Sequence, residues 1–121
     1  MKPALPLHLW TERDLSTYVV ELARLGGWKL RYHTYTSRGT SYGKPAAPGF
    51  PDWVLVHPEQ QRLLFAELKS DTGVIRPEQR EWLDALSDVP GVEVFLWRPS
   101  DADEIAETLT GHKVVRTERA A

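Results

Sequence analysis

Asp52, Glu67 and Lys69 are the residues of this 121-residue chain whose types and spacing suit one reaction centre. Two β-rich runs, 52–56 and 62–69, flank His57-Pro58-Glu59-Gln60-Gln61, a pattern that reads as a hairpin. A turn centred between Glu59 and Gln60 pairs residues whose numbers sum to 119, so Asp52 faces Glu67. Directly opposed side chains have Cβ atoms about 5 Å apart, and like charges there destabilise a sheet, so something positive must offset them. Lys69 lies two residues beyond Glu67, and strand alternation returns it to the same face.

Two hard oxygen ligands and one ammonium suit Mg²⁺ or Mn²⁺, which favour carboxylate and water. Such a cation polarises a phosphodiester and lowers the pKa of bound water, while Lys69 positions the attacking water or stabilises developing charge. The competing reading makes Asp52 a strand cap and Glu67 with Lys69 an exposed cross-strand charge set. Three details oppose it: the hairpin register, the apolar run around Glu67, and Gly49-Phe50-Pro51 feeding Asp52 into its strand.

Glu21 borders the apolar stripe of the first helix and is a candidate further ligand or base, against the alternative of a solvated helix acid. Gln79 shares a stripe with Trp82, Leu83 and Leu86 in the first turn of the second helix, where exposed N–H groups attract phosphate. A satisfied amide packed in the core is the other reading of Gln79. His8, His33, His57 and His112 have no metal-ligand spacing; His57 belongs to a turn and is expected at the surface, and His33 is read first as structural. Ser-His-Asp, Gly-rich phosphate-loop and zinc patterns are absent.

The elements that must hold these residues follow from periodicity and punctuation. A helix begins near Thr11, with Asp14 completing a capping box, carries Leu15, Tyr18, Val19 and Leu22 inward, and ends at Gly26-Gly27. Residues 28–35 alternate as a first strand, and 37–50 form a Gly/Pro/Ser-rich loop whose Arg38, Tyr42 and Lys44 offer phosphate contacts and a stacking ring, unless the loop is simply solvated. After the hairpin, a second helix starts at Pro77 and runs to about Ser87, residues 92–97 form a fourth strand, and Ser100 with Asp103 caps a third helix carrying Ile105 and Leu109 inward as far as Gly111. The tail from His112 adds a short edge strand or frays. The order α-β-β-β-α-β-α, with a helical crossover between the last two strands, predicts an α/β fold with a mixed central sheet flanked by helices.

The length favours one domain over residues 1–121, with a core spanning about 11–109. With no cysteine, disulfides, thiol catalysis and Cys-ligated zinc are excluded. No signal-like start and no apolar run near the ~20 residues needed to cross a bilayer are present, so the expected location is cytoplasmic, without a membrane partner. The formal net charge is −2, yet residues 22–51 hold no acid and contain Arg24, Lys29, Arg31, Arg38 and Lys44. Such a basic run can grip phosphates on an otherwise acidic protein, with ordinary solvated charge as the alternative.

Taken together, Glu21, Gly49-Phe50-Pro51-Asp52, Glu67-Leu68-Lys69 and Pro77-Glu78-Gln79-Arg80-Glu81-Trp82-Leu83 resemble the PD-(D/E)XK nuclease superfamily, and within it the small stand-alone VRR-NUC domains of bacteria and phages. No single motif is specific; their combination, in order and compactly spaced, is. The resemblance implies a restriction-endonuclease-like αβββαβ core and Mg²⁺- or Mn²⁺-dependent hydrolysis of DNA phosphodiesters. It implies Asp52 and Glu67 as metal ligands, Lys69 at the nucleophile, and Glu21 and Gln79 in support. Stand-alone members are similar to homodimeric junction-resolving enzymes, which makes branched DNA, including four-way (Holliday) junctions, the expected substrate and Arg31, Arg38, Tyr42 and Lys44 the expected DNA contacts. The chain departs from that pattern in its acidic balance and its poorly basic second helix. A non-catalytic DNA-binding or assembly module and a nonspecific DNA or RNA nuclease are the competing functions.

Overall fold

The computed structural model describes residues 5–34 and 47–113. Helix α1, Glu12–Leu25, is capped as its sequence demands: the Thr11 hydroxyl accepts from the Asp14 amide at 3.1 Å, and the Asp14 carboxylate accepts from the Thr11 amide at 2.9 Å. Its stripe of Leu15, Tyr18, Val19 and Leu22 is buried. Four strands follow, β1 Leu30–His33, β2 Trp53–His57, β3 Arg62–Leu68 and β4 Val92–Trp97, with α2, Pro77–Ser87, between the last two and α3, Ala102–Thr110, at the end.

The sheet order is β1-β2-β3-β4, antiparallel between the first three and parallel between β3 and β4. The mixed sheet with flanking helices is the α/β arrangement expected from the element order. The β2–β3 register runs from Trp53↔Ala66 to His57↔Arg62, so every pair sums to the expected 119. That outcome was fixed by the four-residue turn of Pro58, Glu59, Gln60 and Gln61 and by period-two alternation, since a slip of one residue would expose the buried set.

Alternation then divides the sheet. Trp53, Leu55, Leu64, Ala66, Leu68 and Trp97 face one side and join α1 and α3 in the main core. Phe65 faces the other side, where Phe50 stands edge-on between Phe65 and Trp82 of α2, with centroids 5.8 and 4.8 Å away. The core aromatics keep polar partners: Tyr18 donates to the Ala102 carbonyl and Trp28 to the Leu109 carbonyl, both at 2.9 Å.

Three local expectations are corrected. His57 is buried, not surface-exposed: one ring nitrogen lies 2.9 Å from the Gly26 carbonyl and the other accepts from the Gln60 amide at 3.1 Å, so its ring ties the hairpin turn to the end of α1. The cap near α3 involves Asp101 rather than Ser100 and Asp103. Asp101 accepts from the Arg98 amide at 2.9 Å because a 3-10 turn, Pro99–Asp101, intervenes before the helix. The first strand starts later than residue 28, because the Trp28 ring is drawn into the core by Leu109. The tail from residue 114, read as a possible edge strand, lies outside the described residues. Among the described residues no helix is long and apolar enough to cross a membrane.

Gly26 sits where α1 and α3 meet. A Cβ added there would lie 1.8 Å from the Leu109 carbonyl oxygen and 2.8 Å from its carbon, both backbone atoms that cannot step aside. Gly26→Ala should therefore destabilise the chain by about 3 kcal/mol, at the upper end of overpacking costs, and lower the thermal midpoint by on the order of 10 °C in a calorimetric scan.

Candidate active site

The site is a fork in the sheet. The β2–β3 ladder ends at Trp53↔Ala66, whereas the β3–β4 ladder continues to Leu68↔Trp97 and is extended by the Lys69 amide donating to the Trp97 carbonyl at 3.0 Å. Pro51 has no N–H to prolong β2. The Asp52 side chain takes over instead, its Oδ2 accepting from the Leu68 amide at 2.8 Å. The Asp52 carbonyl also accepts from the Thr34 amide at 2.8 Å, and the Thr34 hydroxyl donates to the Pro51 carbonyl at 2.7 Å.

Glu67, on the face turned toward α2, is only 2% exposed, and Asp52 only 7%. Gln79 reaches Glu67 from the first turn of α2: its Nε2 donates to Glu67 Oε2 at 2.9 Å, while its Oε1 accepts from the Arg76 amide at 2.9 Å and closes the helix cap. Gln79 is thus a buried amide with both ends engaged, one of them by the acid. Glu67 Oε1 has no hydrogen-bond partner among the described residues. A buried carboxyl oxygen in that condition is costly unless a proton shared with the adjacent Asp52 carboxyl, or a bound cation, satisfies it.

Gly49 sets this wall. At φ 85° it is in the left-handed region, and a Cβ there would lie 2.5 Å from the Glu78 backbone. The strand carrying Asp52 therefore runs directly against the start of α2, and Trp82 Nε1 donates to the Pro48 carbonyl at 3.2 Å to fasten it.

Burial drives the electrostatics. The Glu67 pKa is raised from 4.5 to about 8, first by desolvation and next by the Asp52 charge, with Lys69 opposing. Desolvation likewise raises Asp52 to about 6, against the Leu68 amide and Lys69, which lower it. Lys69 is half-buried, and its charge acts on both carboxyls. Without a cation the pair cannot comfortably hold two negative charges at neutral pH, so Glu67 carries a proton.

Glu21 is not brought to this group. It forms an exposed ion pair with Arg24 at 3.2 Å, one turn along the same helix surface. The α1 acid felt by the site is Glu12, whose charge raises the pKa of both Asp52 and Glu67. Its position follows from Ser16 one turn on, whose hydroxyl accepts from Trp53 Nε1 at 2.9 Å beside Asp52. Its place in the first turn of the helix was the available signal for Glu12; which end of the helix meets the fork was not. Arg31 is exposed on β1 and donates to the Trp28 carbonyl at 2.8 Å. Arg38, Tyr42 and Lys44 lie outside the described residues. His33 is stacked on Trp53 with centroids 4.5 Å apart, and its partial burial lowers its pKa.

Two acids and a lysine at a sheet fork, with a helix-borne glutamine against the second acid, form the arrangement that the resemblance to the PD-(D/E)XK nucleases implies. A VRR-NUC domain family model matches residues 40–100, half of the sequence, and the chain belongs to that family, whose members are nuclease domains acting on DNA. A solved structure described as a VRR_NUC domain protein is similar in fold, with a TM-score of 0.53, 18% identity, and coverage of 83% of this chain and 85% of that one. No curated protein matches.

The raised acid pKa values fix a sign. An acid that binds its proton more tightly when folded favours the folded state at low pH, and that advantage is lost as pH rises through the folded pKa. Metal-free protein should therefore lose stability between about pH 4 and pH 8, by on the order of 5–10 °C in melting temperature, and Glu67→Gln should remove most of that slope. A melting temperature that climbs across this range in chelator, or a slope unchanged in Glu67→Gln, would contradict the assignment.

Proposed function

We propose that the chain is a Mg²⁺- or Mn²⁺-dependent endonuclease that hydrolyses DNA phosphodiester bonds at the Asp52–Glu67 fork, within a single domain. The carrying observation is the pair of adjacent buried carboxyls, with Glu67 Oε1 meeting no donor group among the described residues. Superfamily members generally use divalent metals, and this donor set fits one: hard oxygens and raised proton affinities that a cation would relieve. Among the described residues no third His, Asp or Glu converges with the pair, which suits a cation that keeps most of its water.

Asp52 and Glu67 would hold the cation. Each is held by a neutral donor, the Leu68 amide and Gln79 respectively, and the side-chain hydrogen bond that the two acids share in metal-free protein would give way to the ion. When bound, a divalent cation supplies Lewis acidity to the phosphodiester and lowers the pKa of water. Lys69 orients the attacking water and offsets charge developing on the phosphate. Glu12 adds negative charge at the rim, and the N-terminus of α2 offers its positive dipole end close to the substrate.

The substrate backbone is proposed to run along the sheet face left uncovered by α2, where Lys29, Leu30, Arg31, Tyr32, Val54 and Val56 line a shallow depression leading along β2 to Asp52. Lys29 and Arg31 are suited to phosphate and the exposed Tyr32 to stacking, with Arg38, Tyr42 and Lys44 adding contacts. Such contacts read shape rather than sequence, which supports structure-selective cutting of branched DNA, including Holliday junctions, by a homodimer presenting two sites.

The test is cleavage of labelled duplex, single-stranded, flap and four-way DNA, and of RNA, with Mg²⁺, Mn²⁺ or chelator. Cutting should require the cation and favour the branched substrates, and Lys69→Ala should lower kcat by about 10²–10³ while the protein stays folded. Binding without cutting by wild type and variant alike would identify a non-catalytic DNA-binding module, and equal cutting of all polymers a nonspecific nuclease.

A further inference from the structure

A lysine serving one point in an active site must give up the rotamer freedom of a four-carbon stem, so something must hold the stem. The backbone of Lys69 is held by β4 through the Trp97 carbonyl. The next residue of β4's connection, Arg98, reaches back across. Its Nη1 donates to the Ser70 carbonyl at 2.7 Å and to the Gly73 carbonyl at 2.8 Å, the two ends of the turn that follows Lys69. The same turn is closed by the Gly73 amide donating to the Ser70 carbonyl at 3.1 Å, and a second tie comes from the Ser100 amide to Asp71 Oδ1 at 3.2 Å.

Gly73 completes the arrangement. A Cβ there would lie 3.3 Å from Lys69 Cδ, 3.3 Å from Ser70 Oγ and 3.5 Å from Lys69 Cβ, so the turn lies directly against the lysine stem. Its φ is not in the left-handed range, so backbone strain is not what calls for glycine at this position; room for Lys69 is. A charged side chain spent on two carbonyls makes strong, short hydrogen bonds, and here they stiffen the wall beside the lysine.

We infer that Arg98 is a positioning residue for Lys69: by clamping the Ser70–Gly73 turn it fixes the surface against which the Lys69 stem lies and so aims the ammonium at Asp52 and Glu67. This rests on the nuclease reading for its consequence in catalysis, but the placement of Lys69 is a property of the chain alone. Arg98 touches neither carboxylate in its hydrogen bonding and needs no contact with substrate.

The experiment compares wild type with Gly73→Ala, Arg98→Ala and Arg98→Lys in the full chain. Three quantities are read: the Lys69 Cε NMR signal in metal-free protein, assigned with Lys69→Arg, the melting temperature, and kcat and KM for cleavage with Mg²⁺ or Mn²⁺. A Cβ at Gly73 meets only side-chain atoms, which can shift by a few tenths of an ångström, so Gly73→Ala should stay folded and melt within a few degrees of wild type. It should nevertheless move the Lys69 signal and lower kcat about tenfold with KM unchanged, because small misplacements of a reacting group are costly. Arg98→Ala should move the same signal and lower kcat by up to about 10², with partial recovery in Arg98→Lys, which retains a cationic donor. A Lys69 signal superimposable on wild type in both Gly73→Ala and Arg98→Ala would overturn the inference, as would wild-type kcat in both. A wild type that cuts no nucleic acid would instead defeat the nuclease reading, and the NMR comparison would still decide the role of Arg98.

Discussion

Two carboxyl groups that raise one another's proton affinity, held at a fork where a strand gives out early, are the constraint that organises this molecule. Glu67 and Asp52 are withdrawn from water and, among the described residues, feel the ammonium of Lys69. In a sheet such a pair works against folding. It persists because each acid is anchored by a neutral donor that cannot neutralise it, the Leu68 amide for Asp52 and the Gln79 amide for Glu67. The anchors fix geometry and leave the charge unresolved, which is the condition a cation site requires.

The rest of the fold divides its tasks between the two faces of the sheet. On one, α1 and α3 bury most of the tryptophan-rich core and make a base that does not depend on the site. On the other, α2 packs on β4 and reaches Glu67 of β3 through Gln79, and the contacts of Gly49 with Glu78 and of Phe50 and Pro48 with Trp82 hold the helix against the segment that leads into Asp52. Stability thus resides mainly on one side and preorganisation on the other. The parallel β3–β4 pair carries this second task further, since β4 supplies both the carbonyl that holds the Lys69 backbone and the connection from which Arg98 clamps the next turn.

What could be read from the sequence was whatever depends on local period and punctuation. The register that opposes Asp52 and Glu67 follows from a short turn and strict alternation, and the bounds of α2 from a proline at its start. What could not be read depends on which ends of distant elements meet. Glu21 and Glu12 are both acids of one helix, and only the packing of Ser16 on Trp53 decides that the N-terminal one meets the fork. His57 looks like a turn residue until Gly26 offers it a carbonyl from 31 positions away. Arg98 follows a strand and precedes a proline, and nothing local says that its side chain crosses to the turn after Lys69.

The opposite end of the same sheet shows how this chain treats a charge that serves structure alone. Arg62 at the start of β3 grips Glu93 through two hydrogen bonds of 2.7 Å each, and its guanidinium lies 4.6 Å from the centre of the Trp28 ring. Both oxygens of Glu93 are satisfied, its partner is an arginine whose fork matches a carboxylate, and the pair is only partly withdrawn from water. Among the described residues each of these choices is reversed at the fork: two acids face one lysine, a point charge rather than a fork, burial is nearly complete, and one oxygen meets no donor. One sheet thus resolves its charges at one end and leaves them crowded at the other, and it is the second end that the proposed chemistry needs.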